Sequence, residues 1–199
     1  MNKKLKITNR QKQIIIGKIL GDGCLETVNG TTYRLKIEHS VKQKDYVDWL
    51  YAELKNLATA EPKFKLHKSY KRKNSGKYWF NTAYSPSFRF YGKQFYPQGK
   101  KVVPKLIKRW LTPLTLAIWF MDDGSVKSKE CKGRILNTHS FDRISLKRLQ
   151  EALWSNFKIR TNLRKQKDGA QIYIPASEHE KLKKVIGRYI LSSFRYKLG

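Results

Sequence analysis

The sequence predicts an α+β fold written twice: two pseudo-symmetric halves of order αββαββα, packed through a pair of motif helices. Three observations lead to it. The segment Ile15-Ile16-Gly17-Lys18-Ile19-Leu20-Gly21-Asp22-Gly23 has a counterpart, Leu116-Ala117-Ile118-Trp119-Phe120-Met121-Asp122-Asp123-Gly124, at an offset of 101 residues, and self-similarity of this kind marks a duplicated unit. A strand-like stretch, Tyr33 to Ser40, returns as Gly133 to Phe141, where Glu38-His39-Ser40 faces Thr138-His139-Ser140 at an offset of 100. Apolar residues at helical spacing follow in each copy: Tyr46, Trp49, Leu50, Leu54 and Leu57, against Leu146, Leu149, Leu153 and Phe157.

The first motif sets Gly17 and Gly21 four apart on one helical face, which lets a partner helix come to backbone distance, while Ile15, Ile16, Ile19 and Leu20 supply apolar surface. Each motif ends in Asp-Gly, so Gly23 and Gly124 are expected to turn the chain away in a left-handed conformation. Further strands are expected at Phe64 to Tyr70, Tyr78 to Thr82 and Phe88 to Tyr91 in the first half, and at Arg160 to Lys165 and Ala170 to Ile174 in the second. Gly76 and the Asp168-Gly169 dipeptide stand where hairpin turns are needed. Closing helices are expected at Val103 to Trp110 and Ser177 to Leu191, the latter opened by the capping-box pattern Ser177-Glu178-His179-Glu180. The halves, 8–110 and 111–199 of a single body, join near Leu111-Thr112-Pro113, where Thr112 can cap the second motif helix and Pro113 suits its first turn. Two curved antiparallel sheets side by side would form a saddle.

Charge says what such a saddle would hold. The chain carries 43 Lys plus Arg against 15 Asp plus Glu, a formal +28, far beyond what solubility asks for. The cations run from Lys3 to Lys197, interleaved with Trp, Tyr and Phe, which points to a folded basic surface for nucleic acid and away from a basic tail. A structural RNA binder and a membrane-surface binder are the competing readings of charge alone. The 40% hydrophobic share can fill a core, so disorder of the whole chain is excluded. No run of about 18 apolar residues is present to span a membrane. The basic stretch Met1 to Arg10 is not followed by a cleavable apolar segment, so a soluble, intracellular protein is expected. Cys24 and Cys131 are too few and too far apart for a disulfide framework or a zinc site and read as reduced structural residues.

A carboxylate at a helix C-terminus adds to the negative end of the macrodipole, so one Asp-Gly ending is an ordinary helix stop, whereas two call for a compensating cation. If the motif helices pair, Asp22 and Asp123 meet beneath the basic saddle. Paired carboxylates beside bound phosphate can hold divalent metals that activate water and stabilise a leaving oxygen. Asp122, next to Asp123, is the alternative carboxylate; Asp123 is favoured because it aligns with Asp22 and directly precedes Gly124. His39 and His139 look like a repeated pair, more simply read as marking the end of a strand.

The two motifs resemble those of LAGLIDADG homing endonucleases, in the single-chain, two-motif branch. The likeness covers most of the chain and is most specific in Leu111 to Gly124, in Leu136-Asn137-Thr138 with Ser140-Phe141, and in the terminal Tyr196-Lys197-Leu198. It implies a metal-dependent endonuclease that cuts both strands of DNA at a specific site and leaves short 3′ overhangs. It also implies Asp22 and Asp123 as metal-binding catalysts, with Gly21 and Asp122 offering main-chain carbonyls to the metals. Lys101, in Gly99-Lys100-Lys101-Val102-Val103-Pro104, and Lys197 are implied as the basic residues that order water and offset phosphate charge, with Lys100 the alternative to Lys101. Mg²⁺ is the expected cofactor, Mn²⁺ a substitute, and Ca²⁺ an ion that binds without supporting cleavage. The sequence departs from the family pattern at Ile118, where a Gly is usual, and at Leu20, which replaces an acidic residue.

The implied partner is double-stranded DNA with a long asymmetric site, bound by a monomer whose two halves act as a pseudo-dimer. Period-two alternation would place Arg34, Lys36 and Glu38, and Asn137, Arg164 and Gln166, on the saddle strands facing DNA. The same alternation serves equally for a solvated outer face. Lys71, Arg72 and Lys73 would form a phosphate-gripping loop. An intron RNA maturase on the same scaffold is the alternative function. The absence of splicing-type termini leads to the expectation of a free-standing or intron-encoded enzyme.

Overall fold

In the computed structural model, which describes residues 4–66, 76–128 and 131–199, the repeat is realised twice over. The first pass reads α1 (Asn9–Leu20), β1 (Cys24–Thr27), β2 (Tyr33–Ser40), α2 (Lys44–Leu54), β3 (Lys63–Leu66), β4 (Gly76–Asn81), α3 (Arg89–Phe95) and the single turn α4 (Ile107–Trp110). The second reads α5 (Pro113–Asp123), β5 (Gly124–Ser128), β6 (Cys131–Leu136), α6 (Arg143–Phe157), β7 (Asn162–Gln166), β8 (Gly169–Ile174) and α7 (His179–Ile186). Each pass builds a four-stranded antiparallel sheet with the same order, β1-β2-β4-β3 and β5-β6-β8-β7. The fold is therefore the α+β duplication that the sequence predicts. The chain divides into two compact units, Met1–Lys12 with Asp22–Gly92, and Gln13–Gly21 with Lys93–Gly199.

In the first unit, strict alternation along β2 buries Tyr33, Leu35, Ile37 and His39 on one face and leaves Arg34, Lys36 and Glu38 on the other. The buried face is covered by α2 through Tyr46, Val47, Leu50 and Leu54. Asn29 shapes the β1–β2 turn by accepting from the backbone N–H groups of Thr31 and Thr32, both at 3.0 Å.

The second unit holds the second motif and the first motif as far as Gly21. Thr112 caps α5 by accepting from Thr115 N at 3.2 Å, with Pro113 in the first turn. Asp142 caps α6, accepting from Ser145 N at 2.7 Å, and α6 buries Leu146, Leu149, Ala152 and Leu153. Gly17 meets α5 at a distance that leaves no room for a side chain: a Cβ there would lie 2.6 Å from Ile118 Cβ and 2.8 Å from the Thr115 carbonyl oxygen. Ile118, the residue that departs from the family pattern, fills the hollow that Gly17 leaves. Gly17→Ala is expected to destabilise the fold by about 1–3 kcal/mol, because neither a β-branched carbon nor a backbone oxygen can swing aside. An unchanged denaturant midpoint would show slack in this interface, since alanine by itself favours a helix by about 1 kcal/mol over glycine.

Several expectations are corrected. Gly124 is extended (φ −72, ψ 142), and neither it nor Gly23 has a positive φ; Gly124 is required for space, because a Cβ would sit 2.4 Å from the Phe120 carbonyl oxygen. Phe88 to Tyr91 is helical rather than a strand: Ser85 accepts from Ser87 N and Pro86 opens a 3-10 turn that feeds α3. The helix expected from Val103 starts at Ile107, because the residue before a proline resists helix and Val103 N is already committed to Ser145 Oγ at 2.9 Å. The capping box at Ser177 is not formed; Ala176–Glu178 is a 3-10 turn, Glu178 pairs with Lys181, and α7 runs only from His179 to Ile186. The β7–β8 turn residues are Lys167 and Asp168, with Gly169 (φ +136) already paired to Gln166. Strand β6 stops at Leu136 instead of continuing to Phe141, since the backbone N–H and side chain of Asn137 both donate to the Asp123 carbonyl, at 3.0 and 2.9 Å.

Candidate active site

Each motif delivers its last carboxylate where its helix ends, and each helix end is met by a lysine from far along the chain. In the second unit, Lys101 Nζ donates to the Gly21 carbonyl at 2.9 Å. Lys197, buried at 8% exposure, donates to the carbonyls of Met121 at 2.5 Å and Asp122 at 3.3 Å. A cation at a helix C-terminus offsets the negative end of the dipole, so the same device is repeated at both motifs. Lys101, rather than the exposed Lys100, makes the first of these contacts. A carbonyl oxygen has two lone pairs, so these bonds leave acceptor capacity on Gly21 and Asp122.

The neighbouring carboxylates differ in kind. Asp122 points into the helix pair, where both its oxygens lie 2.7–2.8 Å from Lys18 Nζ, and both side chains are 0% exposed. Its negative charge is matched there by a buried cation. A side chain at Gly21 would collide with this carboxylate, with a Cβ only 2.4 Å from Asp122 Oδ2. Asp123 instead accepts from Trp119 Nε1 one helical turn back, at 3.2 Å. In the first unit, the Asp22 carboxylate is 49% exposed and lies 3.7 Å from Nδ1 of the buried His39. His39 Nδ1 is also 3.1 Å from Gln43 Oε1, and the imidazole packs on Tyr46 with ring centroids 5.0 Å apart. His139, its repeat partner, is exposed in a turn, so the two histidines are not equivalent.

The first sheet's open face carries Arg34, Lys36 and Glu38 together, with Lys77 and Trp79 across the β2–β4 pairing. Arg34 pairs with Glu26 at 2.7 Å and lies over the Tyr84 ring, Lys36 approaches Glu26 at 3.7 Å, and Lys77 hydrogen-bonds Glu38. Burial works to raise the Glu38 carboxyl, but the Lys77 hydrogen bond and the fields of Lys77, Lys36 and Lys65 outweigh it and hold its pKa below the usual value. On the second sheet, Arg164 and Gln166 share one face of β7. Asn137 lies just past the end of β6: its amide donates to the Asp123 carbonyl and its oxygen accepts at 2.7 Å from Gln171, the residue paired with Arg164. Lys71, Arg72 and Lys73 lie outside the described residues. Among the described residues, no helix is long and apolar enough to cross a membrane.

Sequence reasoning missed Lys18 and Trp119. The signal for Lys18 was present: the first motif carries one cation too many for a buried helix, the second one anion too many, and buried charges are kept in pairs. Trp119 gave no such signal, because an indole in an apolar helix reads as core.

The sequence profile of the LAGLIDADG DNA endonuclease family matches residues 12–182. The DNA endonuclease I-ChuI of Chlamydomonas applanata is 30% identical, with the alignment covering 98% of this chain and 97% of that protein. The cytochrome b mRNA maturase bI2 of Saccharomyces cerevisiae is 33% identical over 94% of this chain, which spans only 46% of the maturase. The solved structure of the homing endonuclease I-WcaI bound to its DNA recognition sequence superposes with a TM-score of 0.90 over 98% of this chain and 88% of that one, at 23% identity; this likeness concerns the fold. With the profile spanning most of its length and a relative aligned from end to end, the chain belongs to the LAGLIDADG DNA endonuclease family.

Proposed function

We propose that this chain is a site-specific homing endonuclease that cuts both strands of a long, asymmetric double-stranded DNA site with divalent metal and leaves short 3′ overhangs. The observation that carries the reading is the repeated helix end, an Asp-Gly terminus served by a lysine on the preceding carbonyls, at Asp22 with Lys101 and at Asp123 with Lys197. One molecule supplies both copies, so a monomer serves an asymmetric site. Asp22 and Asp123 are the metal ligands in this reading, with the carbonyls of Gly21 and Asp122 as further oxygen donors. The donor set fits: carboxylate and carbonyl oxygens, with Asp22 open to solvent, suit a hard divalent ion that keeps several waters. When bound, such an ion supplies the positive charge that activates water and steadies the leaving oxygen. Lys101 and Lys197 hold positive charge beside the scissile phosphate, while the Asp122 carboxylate is paired with Lys18. Arg34, Lys36, Glu38, Arg164 and Gln166 face the DNA grooves from the open sheet faces, and Lys71, Arg72 and Lys73 grip phosphates. Asn137, which donates to the Asp123 carbonyl and accepts from Gln171, faces the DNA with Arg164 and Gln166.

Selection from a random double-stranded DNA library tests the reading. A linear product from one sequence is expected with Mg²⁺ or Mn²⁺, and binding without cutting with Ca²⁺. The likeness to the bI2 maturase favours an intron RNA maturase as the second reading. Intact DNA under all metals, together with stimulated splicing of an intron transcript, would decide for it.

A further inference from the structure

Trp154 is left 44% exposed near the end of α6, and nothing in DNA cleavage uses it. Lys158 Nζ and the Arg160 guanidinium each lie 5.5 Å from its ring centroid. Beside the indole lies an open cleft of about 470 Å³, walled by Lys147, Gln150, Arg160 and Thr161. Glu151 also lines it but approaches Lys147 at 3.9 Å, so the excess charge of the cleft is positive. Gln150 Nε2 is tied to the Thr161 carbonyl at 3.0 Å and hydroxyl at 3.2 Å, which fixes one wall. A further observation comes from the backbone. Lys158 is the left-handed C-cap of α6, with φ +57, a conformation that glycine adopts without strain and a lysine does not.

We propose that this cleft binds an unpaired base of a single-stranded nucleic acid, stacked on Trp154, with the adjoining phosphates paired to Lys158 and Arg160. An aromatic face bordered by cations on flexible stems is the arrangement that takes a base with its backbone. At 5.5 Å the cations stand off the ring, so an entering base replaces one of them over the indole and the displaced charge meets phosphate. The cleft is lined by α6 and by Arg160 to Asn162, where β7 begins, and Asn162 shares a face of β7 with Arg164 and Gln166. Its lining includes none of Asp22, Asp123, Lys101 and Lys197, so the proposal does not depend on the cleavage assignment.

The test measures binding of labelled oligo(U), oligo(dT) and inorganic polyphosphate to the full chain, to Trp154→Ala and to Lys158→Gly. Polyphosphate carries the charge without the bases. Trp154→Ala is expected to weaken binding of one or both oligonucleotides roughly tenfold while leaving polyphosphate binding nearly unchanged, and the strand that shows the loss identifies the ligand. Lys158→Gly should weaken the same strand and leave the melting temperature equal or higher, because the strain at φ +57 is relieved. A merely structural lysine would give neither effect on the strand. Equal losses on polyphosphate, or oligonucleotide affinities unchanged in both variants, would overturn the proposal and leave the cleft as ordinary basic surface.

Discussion

Replacing Asp123 by Asn is expected to abolish DNA cleavage while leaving binding intact, and Asp22→Asn should do the same. Each substitution keeps the side-chain volume and removes a full negative charge from a position proposed to ligate metal. Loss of an outer-shell partner to a metal ligand already costs 10–100-fold, so loss of the ligand itself should exceed about 100-fold. Affinity for DNA without metal should stay equal or rise, because a carboxylate facing phosphates repels them. Supercoiled plasmid carrying the selected site reports the outcome as uncut, nicked or linear DNA. If both helix ends serve one shared ion, either variant stops both cuts; nicked product means that each half keeps its own. Asp122→Asn is measured alongside, with its fold checked by thermal unfolding, since that carboxylate is paired with Lys18. Cutting by Asp123→Asn together with inactivity of a folded Asp122→Asn would falsify the assignment and move the ligand by one residue.

Lys18→Met is expected to give the largest loss of stability, about 3–5 kcal/mol, because it strands the fully buried Asp122 carboxylate without its cation. For a chain of this size that corresponds to a fall in Tm of roughly 6–20 °C. Removing both charges tells a different story. In Lys18→Met with Asp122→Ala the desolvation of two ions disappears along with their attraction, so the double variant should recover most of the loss or exceed the wild type. Thermal or denaturant unfolding of the four proteins closes the cycle. If each single change costs under about 1 kcal/mol and the double change is their sum, the pair contributes little and water reaches it. The double variant should still bind DNA, because neither side chain is at the surface.

What the sequence determined by itself were the features written in local periodicity and local chemistry. The duplication, the strand from Tyr33 to Ser40 with its alternating faces, and the Thr112-Pro113 opening of α5 all follow from spacing or capping within a few residues. The paired Asp-Gly endings were legible for the same reason. Local signals failed where another part of the chain had a stronger claim on the same backbone groups, as at Val103, whose N–H is taken by Ser145, and at Asn137, which is tied to Asp123. They also misassigned Gly124, whose glycine is demanded by the Phe120 carbonyl rather than by backbone twist. Only the tertiary structure decided that Asp122 is occupied by Lys18, 104 residues earlier, and that Lys101 and Lys197 reach the motif helix ends across 80 and 76 residues. Such partners leave no periodic trace, because the energy that selects them is the cost of leaving a buried charge or carbonyl unpaired, and that cost exists only after the chain has folded around it.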